Sequence, residues 1–247
     1  LGAYVFTVVM DECGVLKRIA YTIIKRLGGS YNATLYAIYI VGVVLGQLCF
    51  CGHYFLMIGF VFGICQAMNL KPYSKEGAIM MGVGGMAALN VKVFLYQTSN
   101  MSLLTAGMQT IFPDFMITPV QLFLYNFPEF VVALLFIFLV TKLFHTDQVQ
   151  FEGGKDYFEK MHREMGRMST VEKKASVILV LLMGYIILQP LHKFNLNFGF
   201  MVIPWLCFLP GIEVGTKESL EKVRGFFGTF LFAGSCIAIG QVATALG

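Results

Sequence analysis

Polar side chains set inside apolar runs are the residues of this chain that could do chemistry. Leu35–Met68 holds 34 residues without Asp, Glu, Lys or Arg, and its polar interruptions are chiefly Gln47, His53 and Gln66. Its centre reads Gly46-Gln47-Leu48-Cys49-Phe50-Cys51-Gly52-His53. A second group comprises Gly84-Gly85, Asn90, Lys92 and Thr98-Ser99-Asn100, and Glu129 follows Pro128 in a third apolar run. No nucleophile–base pair is visible. The six cysteines (13, 49, 51, 65, 207 and 236) lack metal-site spacing, and Cys49 with Cys51 forms only a C-x-C pair. Packing thiols are the simpler reading. The polar groups point instead to ion binding. An imidazole can take up a proton near neutral pH, Lys92 brings a positive charge, and helix ends present N–H groups to an anion. Plainer readings stand beside these. His53 could be a hydrogen-bonded packing residue, the glycines could serve close helix packing, and Lys92 could snorkel or pair with Glu129.

Membrane-embedded helices must position such groups. The chain is 57% hydrophobic and 13% charged, with mean hydropathy +0.73, which makes it an integral membrane protein without a soluble catalytic domain. As one helix, Leu35–Met68 would be about 50 Å long, too long for a hydrocarbon core of about 30 Å. Two spans would need about 40 residues and a turn. A re-entrant hairpin fits, with its tip at 46–53 near the midplane. Irregular backbone is tolerated there only against protein or a watery cavity, and secondary transporters bind their solutes at such places. One long, tilted, kinked span is the alternative.

The rest of the chain divides around this stretch. Residues 1–144 form a first repeat: the end of a span, an interfacial amphipathic helix at 15–29, the hairpin at 35–68, a broken span at 77–113, and a span at 119–141 kinked at Pro128. Residues 145–173 form a solvated, partly helical linker whose mixed charge argues against nucleic-acid binding. Ser169 and Glu172 predict a capped helix start. Residues 174–247 begin a second repeat, with spans at 175–189, 198–212 and 225–247. With the interfacial helix and both hairpin ends inside, sixteen of the 18 Lys and Arg residues lie inside, leaving Lys193 outside and Lys92 in the membrane. A multi-pass protein of the cell membrane with a cytoplasmic linker is expected. The start at Leu1, mid-pattern and without an initiator Met, predicts a piece of a longer protein.

This order of elements resembles the divalent anion/sodium symporter family of the ion transporter superfamily. The resemblance rests on the surface helix beginning Cys13-Gly14-Val15-Leu16-Lys17-Arg18-Ile19-Ala20, the hairpin, the span with Gly84-Gly85, and Pro128. It extends from Met168-Ser169-Thr170-Val171-Glu172-Lys173-Lys174 to Phe208-Leu209-Pro210-Gly211-Ile212-Glu213-Val214. It implies an all-α polytopic transporter of inverted repeats, working as an elevator and a homodimer. The substrate would be a small dianion (dicarboxylate, citrate or sulfate), with no cofactor beyond a coupling Na+ or H+. Gln47, Cys51, Gly52, His53, Gly84, Gly85, Asn90, Lys92, Thr98, Ser99 and Asn100 would then bind the dianion, with His53 and Glu129 as coupling candidates. Two departures fall on that site. Cys51-Gly52-His53 stands where the family carries Ser-Asn-Thr, and Met86–Lys92 stands where the family has a Thr/Gly/Pro/Asn-rich run. His53 or Lys92 could replace the coupling cation's charge. A non-transporting relative acting as an assembly partner is the competing expectation. By the same resemblance, a second surface helix and hairpin are expected after Gly247.

Overall fold

Three helices run side by side where the hairpin is predicted, and a few close contacts fix their directions. The computed structural model describes residues 2–49, 53–68, 70–71, 73–89, 108, 111–112, 115, 117–146, 149, 154–194, 196–225 and scattered positions beyond 225. Every element among them is helical. The first five are α1 (Gly2–Glu12), α2 (Val15–Leu27), α3 (Tyr31–Cys49), α4 (His53–Ala67) and α5 (Lys75–Leu89). Tyr31 Oη donates to the Glu76 carbonyl at 2.5 Å, so α3 and α5 begin at one level. Eleven residues further along each, a Cβ added to Gly42 would lie 2.5 Å from the Cβ of Ala87. The constant offset makes α3 and α5 parallel. The fourth helix runs the other way. A Cβ on Gly84 would sit 2.8 Å from Val61, and one on Gly77 would sit 2.7 Å from the carbonyl of Lys71, beyond the end of α4. Thus α3 and α4 form an antiparallel hairpin whose open ends stand beside the start of α5. With 15 residues, α4 is about 22 Å long, short of a hydrocarbon core of about 30 Å.

The long span is α6 (Pro119–Leu143), opened by a Thr118–Gln121 capping box and continuous through Pro128. Its far end meets the starts of α3 and α5. Thr146 Oγ1 donates to Asn32 Oδ1 at 2.6 Å, and Lys75 Nζ donates to the Phe144 carbonyl. It is therefore antiparallel to both, and it touches α3 through the stacked rings of Tyr39 and Phe130, 5.8 Å between centroids. Its other side chains mostly face outward: 11% of this span is buried, against 67% of the apolar stretch of α3.

Beside these lie α7 (Gly154–Glu164), α8 (Thr170–Ile187), α9 (Gln189–His192), α10 (Leu196–Val202), a 3-10 helix (Ile203–Phe208) and α11 (Lys217–Arg224). The first helix packs on α10, the 3-10 helix and α11, while α2 packs on α3, α7 and α8. The linker is less solvated than its charge suggests, because Phe158 of α7 is fully buried and lies against Gly28, just past α2. The stretch expected to span at 198–212 is instead a short helix followed by a 3-10 turn ending at Phe208. Pro204 has no N–H for an α-helical ladder, and Leu209-Pro210-Gly211 turns the chain. By length and apolar composition, two helical stretches among the described residues could cross a membrane alone: Tyr31–Leu48 and Val120–Leu143. Most of the span expected at 225–247, and residues 90–107 of the expected broken span, lie outside the described residues.

Candidate substrate site at the hairpin turn

Depth can be counted along the helices from the level shared by Tyr31, Glu76 and Phe144. At about 1.5 Å per residue, Gln47 and His53 both lie about 24 Å from that level, and Glu129 about 22 Å. The end of α3, the start of α4 and the last turn of α5 thus lie at similar distances, about 20–24 Å, from that level. Gln47 is buried there, 6% exposed. His53 opens α4, whose first N–H groups have no acceptor within the helix and carry the positive end of its dipole. Such an end attracts a carboxylate or sulfate oxygen.

The two glycines of α5 play different parts. Gly84 is buried against Val61, at the helix contact, while a Cβ on Gly85 would meet open space. Gly85 lines a groove of about 710 Å³ between α5 and α6, together with Gly82, Met86, Leu89 and Glu129. Glu129 is exposed on α6 and faces this groove near the depth of the hairpin turn. Cys51, Gly52, Asn90, Lys92, Thr98, Ser99 and Asn100 lie outside the described residues.

Two polar clamps at the opposite, charged end escaped sequence reasoning. Arg18 Nε and Nη2 each donate to Glu172 Oε1 at 3.0 Å, and Nη2 also reaches Oε2 at 3.1 Å. Arg18 further donates to the carbonyls of Gly166 (2.9 Å) and Met165 (3.1 Å). Glu172 Oε2 accepts the Ser169 N–H at 2.6 Å, which completes the cap of α8. Burial pushes this carboxyl's pKa up. The Ser169 N–H, then the hydrogen bonds and charge of Arg18, outweigh it and hold the group below its ordinary 4.5. Nearby, burial, followed by the charges of Glu12 and Glu172, pushes the Cys13 thiol up to about 11, so it stays protonated. In the second clamp, Glu12 accepts from Ser219 Oγ and pairs with Lys222 at 2.6 Å, joining α1 to α11. The partners lie 154 and 207 residues apart in sequence. Only the capping box at Ser169 was visible beforehand.

Among the described residues every element is helical, and the apolar helices α3, α4 and α5 pack together through glycines. The family model described as the sodium:sulfate symporter transmembrane region matches residues 1–247, the whole chain, and the chain belongs to that family. The chain matches none of the curated proteins compared with it. Membership bears out the resemblance read from the sequence. It makes the chain a transmembrane transporter of the symporter type, from a family of carriers rather than enzymes, with an anionic substrate and sodium as the family's coupling ion.

Proposed function

We propose that this chain carries small divalent organic anions of the dicarboxylate or citrate kind, by exchange or cation coupling. In this proposal α3, α4 and α5 move together as an elevator against the remaining helices, within a homodimer. The observation that carries it is the antiparallel α3–α4 hairpin, whose turn end stands about 24 Å from the charged level, beside the end of α5. Glycine contacts join these three helices to one another, whereas Arg18 and Glu12 tie α2 to α8 and α1 to α11. His53 and Lys92 are the basic residues that the sequence offers to balance a dianion where the family's Ser-Asn-Thr is replaced. Glu129, at similar depth on the helix facing α5, is a second coupling candidate. Both ends of the hairpin are proposed to face the cytoplasm.

Uptake of labelled succinate, citrate and sulfate into proteoliposomes, under imposed Na+ or H+ gradients, tests this reading. Uptake driven by H+ or by internal dianion, and reduced in His53→Ala, is the expected result. Steep sodium dependence that is unchanged in His53→Ala removes the proton-linked form. Absence of uptake for every dianion favours the second reading, an assembly partner, which the Cys51-Gly52-His53 sequence motivates. Thr34, at the start of α3, is buried, so cysteines placed at the exposed Ser30 just before it and at Lys71 should be labelled from the cytoplasmic side alone. Labelling of either from outside contradicts a re-entrant hairpin.

A further inference from the structure

The cleft between α4 and α5 opens at the charged level, and its walls change character along its length. It encloses about 580 Å³, a size typical of small-molecule sites. Phe62, Cys65, Leu70 and Met81 make its floor apolar, while Gln66 and Lys71 stand in the lining, which among the described residues includes no acid. The backbone of Lys71 is fixed. Its carbonyl accepts the Ser74 N–H at 2.9 Å and packs on Gly77, whose own N–H donates to Ser74 Oγ at 3.0 Å. The ammonium therefore extends from a set place near the level where Tyr31 meets Glu76 and Lys75 meets Phe144. Two other lysines of that level are engaged with rings: Lys75 lies 5.5 Å from the Phe144 ring centroid and Lys142 lies 6.0 Å from that of Phe138. Among the described residues, no acid pairs with Lys71. Deeper along α4, Ile58 and Phe62 are 46% and 49% exposed, and a Cβ on Gly59 or Gly63 would touch nothing. Lys71 thus stands at one end of the cleft, and Phe62 at the other continues along α4 into this apolar strip.

We propose that this cleft binds an anionic phospholipid of the leaflet on the basic side, with its phosphate at Lys71 and Gln66 and an acyl chain along Phe62 and the Gly59–Gly63 strip. Basic pockets between membrane helices select such headgroups. The change from charged mouth to apolar floor matches an amphiphile. A second copy of the chain would fill the strip and leave the ammonium unanswered, and a zwitterionic lipid would bring its own ammonium to the same place, whereas an anionic headgroup adds no competing cation. The site is independent of the substrate reading, and a lipid seated there touches both α4 and α5.

Native mass spectrometry of the purified full chain, offered equal amounts of phosphatidylglycerol and phosphatidylcholine, tests the proposal. Wild type should retain phosphatidylglycerol several-fold over phosphatidylcholine. Lys71→Gln should lose most of that preference, Lys71→Arg should keep it, and Lys142→Gln, outside the cleft, should leave it unchanged. Gly63→Leu, which fills the strip, should lower retention of both lipids. Circular dichroism of each variant separates loss of binding from loss of fold. An undiminished preference in a folded Lys71→Gln overturns the proposal, as does an equal loss in Lys142→Gln, which would reveal general surface charge. Displacement of the lipid by inorganic phosphate alone would make the site a phosphate site and overturn the lipid assignment. Dimers in place of lipid adducts would do so as well.

Discussion

Inside the α3–α4–α5 unit the helices meet at glycines, Gly42 against Ala87 and Gly84 against Val61. Around α2 they meet at charges, with Arg18 on Glu172 and, one helix away, Glu12 on Lys222. The difference follows from depth. In hydrocarbon an apolar side chain gains little by leaving lipid, so helices associate through close packing, which small residues permit. At the boundary, water and headgroups compete for every charge, and an ion pair contributes much only where it is shielded. Arg18 and Glu172 are shielded, with side chains 14% and 10% exposed, whereas Lys222 in the second clamp is 64% exposed. The sixth helix is a third case: its apolar face looks outward, and it joins α3 mainly through Tyr39 and Phe130.

The strongest way to break this comparison is Arg18→Ala. It strands a shielded carboxylate and two carbonyls, and should cost about 3 kcal/mol, read from thermal unfolding of the purified protein in detergent. Arg18→Lys should recover only part of that, because an ammonium lacks the planar fork. A cost of less than about 0.5 kcal/mol for Arg18→Ala would place the clamp with ordinary surface pairs and end the distinction.

Next in size is Gly42→Val. The added side chain runs into Ala87, whose carbonyl is also within 3.0 Å of an added Cβ. Overpacking of this kind costs about 1–3 kcal/mol. Ala87→Gly should return part of the loss in the double variant, and strictly additive effects would show that the two positions do not share a contact.

Acid sensitivity sharpens the charged half of the comparison. The pKa of Glu172 is lower folded than its ordinary 4.5. Its stabilisation is therefore fully present above that value and is lost as pH falls through the lowered one. Unfolding temperature should be insensitive to this group between pH 7 and about pH 5 and should fall below about pH 4.5. Glu172→Gln should remove that acid component, while Gly42→Val should keep it. The smallest effect is expected on α6. Leu135 is 55% exposed, and Leu135→Ala should shift stability by no more than about 0.5 kcal/mol.

Much of the architecture was legible in the residues. Leu35–Met68 is too long for one span and too short for two, so a reversal near its centre was expected, and α3 and α4 are antiparallel with Cys49 and His53 at their facing ends. The basic amphipathic helix appears as Val15–Leu27, and the Ser169–Glu172 box caps α8 as its spacing predicts. These features are local, set by helix length, periodicity and capping chemistry, which neighbouring residues decide among themselves. Three features were not legible. Tyr157 and Phe158 lie in a strongly charged linker, and composition reads as solvation, yet Phe158 is buried because α2 is there to cover it. The parts of Gly84 and Gly85 could not be told apart, since one faces Val61 and the other the Glu129 groove, according to how α5 is turned between its neighbours. Arg18 counted only as one more positive charge, and its partner lies 154 residues away. The sequence by itself determined a membrane-embedded helical chain with a hairpin and a charged face, because the bilayer imposes length and polarity on each segment separately. Only the tertiary structure decided which glycine is a contact and which an opening, and which charges are joined, because both depend on helices brought together from distant parts of the chain.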